Sequence, residues 1–146
     1  IVRRLVGSEM CIRDRYECTN IIELNENVGL SNALKIGLDH CKYDIVARMD
    51  SDDFSVKERF EIQIEHLKNN PGISLVGSSY AQYDSELIKY QGSRKLPFST
   101  RELKNFSRTR TPINHVTIMF KKADAIKSGG YPKIGRLKIG GLQIGF

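Results

Sequence analysis

Three carboxylates stand within four residues, at Asp50, Asp52 and Asp53, directly after the mainly apolar run Ile45-Val46-Ala47-Arg48-Met49. Like charges this close repel. At ~5 Å and an effective dielectric of ~20, each pair costs about 3 kcal/mol before solvent relaxes around it. A divalent cation reverses the sign of that term, and hard carboxylate oxygens suit Mg²⁺ or Mn²⁺. The competing reading is a solvated acidic turn that caps the following helix and complements its positive N-terminal end. Spacing alone leaves both open. Two other chemistries fail on residue type. An EF-hand loop beginning at Asp50 puts Asp52 third and Glu61 twelfth, but Phe54 and Ser55 occupy the places of the fifth ligand and the sixth glycine. A phosphotransfer aspartate of the DxDx(T/V) type needs a hydroxyl or small β-branched residue where Phe54 stands.

A strand and a helix must position these acids. Tyr43 to Met49 predicts a buried strand, and its carboxyl end is where open α/β sheets bind ligands. Ser55 followed by Glu58 fits a capping box. Val56, Phe60, Ile64 and Leu67 then predict one apolar helix face, stopped by Asn69-Asn70-Pro71-Gly72. Upstream, Thr19 to Leu24 reads as a short strand and Asn25 to Gly29 as a turn, in which Asn27 is either a turn former or a ligand-facing residue. Leu30, Ala33, Leu34 and Leu38 predict a helix from Leu30 to about His40.

Downstream, Ile73 to Tyr80 is a strand candidate, Tyr83 to Glu86 a turn, and Leu87 to Tyr90 a hairpin partner. Ser99 with Glu102 predicts a capped helix to about Arg108, broken by Thr111-Pro112. Val116, Ile118 and Phe120 alternate with Thr117 and Met119, which predicts a half-buried strand. Lys122 to Ser128 reads as a short helix closed by Gly129-Gly130 in a left-handed C-cap. This order predicts an α/β fold with a mostly parallel sheet sandwiched by helices.

At 146 residues the chain suffices for one domain with a core of its own. The net charge of +6 is concentrated at the ends: +2 in residues 1–15 and +3 in 132–146, leaving +1 for the body. No basic stripe interleaved with aromatics is present, so a nucleic-acid partner is not expected. No apolar run approaches the ~20 residues that span a bilayer. Cys11, Cys18 and Cys41 form no CxxC pair, and reduced thiols in a cytoplasmic setting are expected. Residues 1–15 contain VGSEMCIRDR, which resembles translated sequencing-adapter read-through, and are expected to be a non-native or disordered arm. The glycine-rich residues 133–146 are expected to be a non-native or disordered tail.

The body, 16–132, resembles the family 2 glycosyltransferases, enzymes of the GT-A (Rossmann-like) fold. The resemblance rests on NENVGLSNALKIGL at 25–38, YDIVARMDSDD at 43–53 and RFEIQIEHLKNNPGISLVGS at 59–78. It continues in NHVTIMFKK at 114–122 and GGYP at 129–132. In series these are far more specific than a DxD triplet. The resemblance is strongest to bacterial transferases that build exopolysaccharide or lipopolysaccharide chains. It implies transfer of a sugar from a nucleotide-diphosphate sugar to a saccharide or lipid-linked acceptor. It also implies a cytoplasmic enzyme that works at the inner membrane face, with peripheral membrane association of the parent.

Carried over by position, Asp50 and Asp52 become ligands of Mg²⁺ or Mn²⁺ that clamp the donor diphosphate. Asp53 reaches a ribose hydroxyl or holds the loop, and Arg48 pairs with Asp50 or with phosphate. Asn27 and Gly29 line the nucleotide pocket, and His115 falls in the acceptor-side strand. Two family features are missing from this sequence. No D-x-S-x-D loop precedes Glu17, and no acid follows Asp124 to match the acidic pair that supplies the base. The chain is therefore expected to be a partial domain whose catalytic base is unassigned. The alternative is a non-catalytic α/β domain whose acids only cap the helix after Ser55.

Overall fold

The computed structural model describes residues 20–84, 88–96, 99, 101, 102, 105, 113–131 and 144–145. The arm expected at 1–15, most of the 99–108 helix and most of the tail lie outside them. The elements are α1 (Leu30–His40), β1 (Ile45–Ala47), α2 (Arg59–Asn69), β2 (Leu75–Val76), β3 (Tyr80–Tyr83), β4 (Tyr90–Arg94), β5 (Met119–Lys121), α3 (Lys122–Lys127) and β6 (Ile144–Gly145). A 3₁₀ turn, His115–Thr117, leads into β5.

The main sheet has the order β1-β5-β2-β6. β5 pairs antiparallel with both β1 and β2, while β6 pairs parallel with β2. β1, β2 and β6 therefore share one direction and β5 opposes them. The mostly parallel sheet expected from the sequence is not what the pairings show. β1-α2-β2 does return β2 parallel to β1, but β5 enters between them and turns both contacts antiparallel. Hydrophobic alternation reveals direction of burial, not which strand is inserted where.

The period-2 pattern sorts side chains onto two faces. Ile45, Val76 and Met119 pack with Leu67 and Ile64 of α2. Val46, Leu75 and Phe120 pack on the opposite face with Leu34 and Leu38 of α1 and Ala125 of α3. Helices thus cover both faces, so Ile118, Met119 and Phe120 are all buried and the β5 segment is not half-buried as its alternation implied. β1, expected to be fully buried, is the outer strand of the described sheet, with Ile45 and Val46 only partly covered and Ala47 exposed. Residues 20–24 form no strand, because a strand needs a ladder partner and they find none among the described residues.

Helix ends follow local chemistry. α1 begins after Gly29, whose φ of 77° lies in the left-handed region. α3 closes on Gly129 and Gly130, at φ 100° and 57°, with Gly130 N–H donating to the Ala125 carbonyl at 2.8 Å. Ser99 and Glu102 form the expected reciprocal box: Ser99 N–H donates to Glu102 Oε2 at 3.3 Å, and Glu102 N–H donates to Ser99 Oγ at 3.2 Å. The box expected at Ser55 does not form. α2 starts at Arg59, its N-cap Glu58 carries no side-chain cap bond, and the Ser55 hydroxyl turns to the Val56 carbonyl.

Lys121 and Lys122, adjacent in sequence, tie the two helical layers to the sheet. Lys121 Nζ donates to the Pro71 carbonyl at 2.6 Å and Lys122 Nζ to the Cys41 carbonyl at 2.6 Å. β3 and β4 form a separate hairpin, in which Tyr83 and Tyr90 meet edge to face at 5.7 Å. Its second strand begins at Tyr90, later than the Leu87 expected.

Candidate functional site

Asp50, Asp52 and Asp53 leave the carboxyl end of β1 in a turn closed by Asp53 N–H donating to the Asp50 carbonyl at 3.3 Å. Just before them, Arg48 N–H donates to the Ile118 carbonyl at 3.0 Å, which continues the β1–β5 seam by one bond. That anchor directs the acids out of the sheet edge. Arg48 Nη2 donates to Asp50 Oδ1 at 2.7 Å, joining an arginine side chain only 10% exposed to a carboxylate 43% exposed. The other Arg48 donors, Nε and Nη1, are buried and have no partner among the described residues. Buried unpaired donors are costly and call for an explanation.

The turn rests on two polar residues of α2 that the apolar-face reading missed. That reading put Val56, Phe60, Ile64 and Leu67 inward, yet α2 buries Arg59, Gln63 and Leu67, while Val56 is 71% and Phe60 45% exposed. Arg59 Nη2 donates to the Arg48 carbonyl at 2.8 Å and to the Ile118 carbonyl at 3.4 Å. Its Nε donates to Gln63 Oε1 at 3.2 Å, and Gln63 Nε2 donates to the Thr117 carbonyl at 2.8 Å. Carbonyls at the end of β1 and the entry to β5 thus receive side-chain donors from beneath. The signal was present as an arginine and a glutamine four apart, in phase with Leu67.

Electrostatics follow from this layout. Partial burial raises the Asp53 pKa above its ordinary 3.8, the charges of Asp50 and Asp52 add to the rise, and Arg48 and Arg59 oppose it. Burial lowers the Arg59 pKa below its ordinary value, with the Asp53 charge working against that. Burial raises the Tyr131 hydroxyl above its ordinary 10.0, and the Arg48 charge works against that rise. His115 meets the Tyr131 ring edge to face, at 5.8 Å and 88°. It lies in the 3₁₀ turn rather than in the strand expected for it, because Thr117 N–H and Oγ1 both donate back to the Asn114 carbonyl, at 3.1 and 2.9 Å.

Arg48, Asp50, Asp52 and Asp53 therefore share one turn at the end of β1, while a ring contact joins His115 to Tyr131. Asn27 Oδ1 accepts from Gly29 N–H at 3.0 Å, the bond of a turn former, and no hydrogen bond or ion pair links either residue to the acids. Among the described residues no three His, Cys, Asp or Glu side chains converge as a metal-holding group. A groove of about 450 Å³ between α2 and β1 is lined by residues such as Phe60, Ile64 and Met119 and includes Asp44 but none of Asp50, Asp52 and Asp53.

A family model described as "Glycosyl transferase family 2" matches residues 8–128. The chain is 36% identical over 111 residues to the amylovoran biosynthesis glycosyltransferase AmsE of Erwinia amylovora, covering 76% of this chain and 41% of that protein. It is 37% identical over 111 residues to an uncharacterized glycosyltransferase of Haemophilus influenzae, with 76% and 42% covered. It is 32% identical over 117 residues to the UDP-Gal:alpha-D-GlcNAc-diphosphoundecaprenol beta-1,3-galactosyltransferase of Escherichia coli, with 80% and 42% covered. The chain spans about two fifths of the length of these relatives.

Proposed function

The chain belongs to glycosyl transferase family 2, and from that premise we propose that it carries the diphosphate-binding part of a GT-A domain. The parent enzyme transfers a sugar from a nucleotide-diphosphate sugar to a saccharide or lipid-linked acceptor in cell-surface polysaccharide synthesis. The observation that carries this reading is the pairing of charges at one strand end. Carboxylates suited to a cation share a turn with an arginine that has two buried, unpaired donors.

The residues present fit a cation held jointly with its ligand rather than in a cage of protein side chains. Mg²⁺ is usually bound by one or two carboxylates plus substrate phosphates and water. Asp50 and Asp52 would supply those carboxylates for Mg²⁺ or Mn²⁺. When bound, the cation neutralises charge that develops on the departing nucleoside diphosphate. Arg48 meets phosphate oxygens, Asp53 orients the turn or a ribose hydroxyl, Asn27 and Gly29 shape the nucleotide loop, and His115 borders the donor through Tyr131.

The reading of the acids as a mere helix cap loses its support, since no side chain caps α2. Among the described residues no helix is long and apolar enough to cross a membrane. A lipid-linked acceptor would place the parent at the inner membrane face. Calorimetric titration of Mn²⁺ with UDP tests the site: binding that Asp52→Ala abolishes supports it, and heats unchanged by that substitution refute it.

A further inference from the structure

We propose that Arg59 is a positioning residue for the acidic turn, a clasp whose loss weakens binding there although Arg59 itself touches no ligand. This deepens the donor-site reading above and rests on it. Residues 49–58 carry the three acids out from the end of β1 to the start of α2. Their apolar members, Met49, Phe54 and Val56, are all exposed, so the loop is not anchored by burial of its own side chains. Within it, Ser55 Oγ donates only to the neighbouring Val56 carbonyl, and the Asp53 N–H to Asp50 carbonyl bond is long, at 3.3 Å.

The neck of the loop is held by a side chain. Arg59 Nη2 reaches back eleven residues to the Arg48 carbonyl at 2.8 Å and also takes the Ile118 carbonyl at 3.4 Å. Arg48 N–H donates to the same Ile118 carbonyl at 3.0 Å, so the clasp closes at the point where the chain to the acids and the chain entering β5 part. Arg59 is itself fixed on several sides. Its Nε donates to Gln63 Oε1, Gln63 Nε2 donates to the Thr117 carbonyl, and the Phe60 ring centre lies 5.3 Å from the guanidinium carbon. None of its buried polar atoms lacks a partner, in contrast to Arg48. A satisfied buried network of this kind rigidifies what it holds.

Asp50 and Asp52 stand two and four residues beyond the clasped Arg48 carbonyl, so a shift of that carbonyl is passed to both along a short backbone. Binding groups must stay within about 0.5 Å of their working geometry. Position and charge act here in opposite senses on a bare cation. Removing a positive charge that Asp53 feels favours Mn²⁺ by Coulomb's law, whereas releasing the neck disfavours it.

The test compares the wild-type chain with Arg59→Met, Arg59→Lys, Gln63→Met and Ile64→Ala, at a temperature where melts show each to be folded. Arg59→Lys keeps the charge but replaces the fork by a point ammonium that cannot serve both carbonyls and Gln63. Gln63→Met changes no charge and leaves Arg59 Nε without its partner. Ile64→Ala truncates a side chain packed with Leu67 and Met119 and leaves the clasp intact. Preformed Mn²⁺–UDP is titrated by calorimetry, and bare Mn²⁺ is followed by electron paramagnetic resonance. Both Arg59 variants are expected to bind Mn²⁺–UDP at least tenfold weaker, the scale for loss of an outer-shell partner. Gln63→Met binds several-fold weaker, and Ile64→Ala stays within about twofold of wild type despite its lower Tm. Bare Mn²⁺ binds Arg59→Met no tighter than wild type. Should Arg59→Met fail to fold, Arg59→Lys and Gln63→Met carry the comparison.

Wild-type affinity in Arg59→Lys, or tighter bare Mn²⁺ in Arg59→Met, reduces the residue to its charge and overturns the proposal. Arg59→Met or Gln63→Met that melts lower yet binds normally reduces the clasp to a fold element, and an equal loss in Ile64→Ala reduces the effect to general loosening; either overturns it too. All of these leave the donor-site reading standing. A wild-type chain that does not bind Mn²⁺–UDP overturns both.

Discussion

Gln63→Leu separates two views of α2. If the helix faces the sheet with a conventional apolar stripe, leucine at a position only 5% exposed is neutral or stabilising. The observed bonding predicts the opposite. The substitution removes the donor to the Thr117 carbonyl, 2.8 Å away, and the acceptor for Arg59 Nε, 3.2 Å away. Leaving a buried carbonyl unpaired costs about 1–3 kcal/mol, and losing a bond to a charged donor costs about 1.5–3 kcal/mol. Burial of the new leucine offsets about 1 kcal/mol of this. A net loss of about 1.5–5 kcal/mol follows, roughly 3–20 °C in Tm for a chain of this size. Urea unfolding followed by circular dichroism measures it, with an unchanged m-value required for the comparison. As a contrast, Val56→Ala, at a position 71% exposed, should stay within about 0.5 kcal/mol. A Gln63→Leu protein as stable as the parent would refute the polar latch.

Other consequences are equally direct. Gly77 is buried, and a Cβ there would collide with Ile113 Cγ2; Gly77→Ala should therefore cost about 1–3 kcal/mol in a urea melt. The folded-state pKa of Asp53 lies above 3.8, so the folded chain holds that proton more tightly than the unfolded one. Its contribution is present below pH 3.8 and lost as pH rises through the raised value. Asp53→Asn should accordingly stabilise the metal-free chain at pH 7, with the difference shrinking in melts at pH 3.5. The UDP and Mn²⁺ titration of Asp52→Ala, given above, completes the set.

The sequence carried the helices well where their signals were local. Helical spacing placed Leu30–His40 at its observed limits, the Ser99–Glu102 box formed, and Gly129-Gly130 closed α3 as left-handed residues. The acidic turn at the end of β1 was also legible, since its position depends only on where an apolar run stops. What could not be read is what depends on neighbours distant in the chain. The insertion of β5, the exposure of β1's outer edge and the inward aim of Arg59 all depend on partners that no local window contains. Arg59 is the clearest case. Its charge argues for solvent until the Arg48 and Ile118 carbonyls are placed beneath the turn to receive it.

The position of β5 also sets the order in which this molecule can assemble. Phe120 stands opposite both Val46 and Leu75 in the sheet, so among the described residues the two early strands are joined through a segment made much later. α1 and α2 can form while the chain is still emerging, because their bonds are local. The described sheet cannot, and the edges of β1 and β2 that face β5 wait without this partner until residues 119–121 arrive. Loop closure over such separations is slow, and open edges are sticky in the interval. Ribosomal truncation before Lys121 should therefore yield a helical, aggregation-prone chain. A few residues more should yield one that closes around its middle strand.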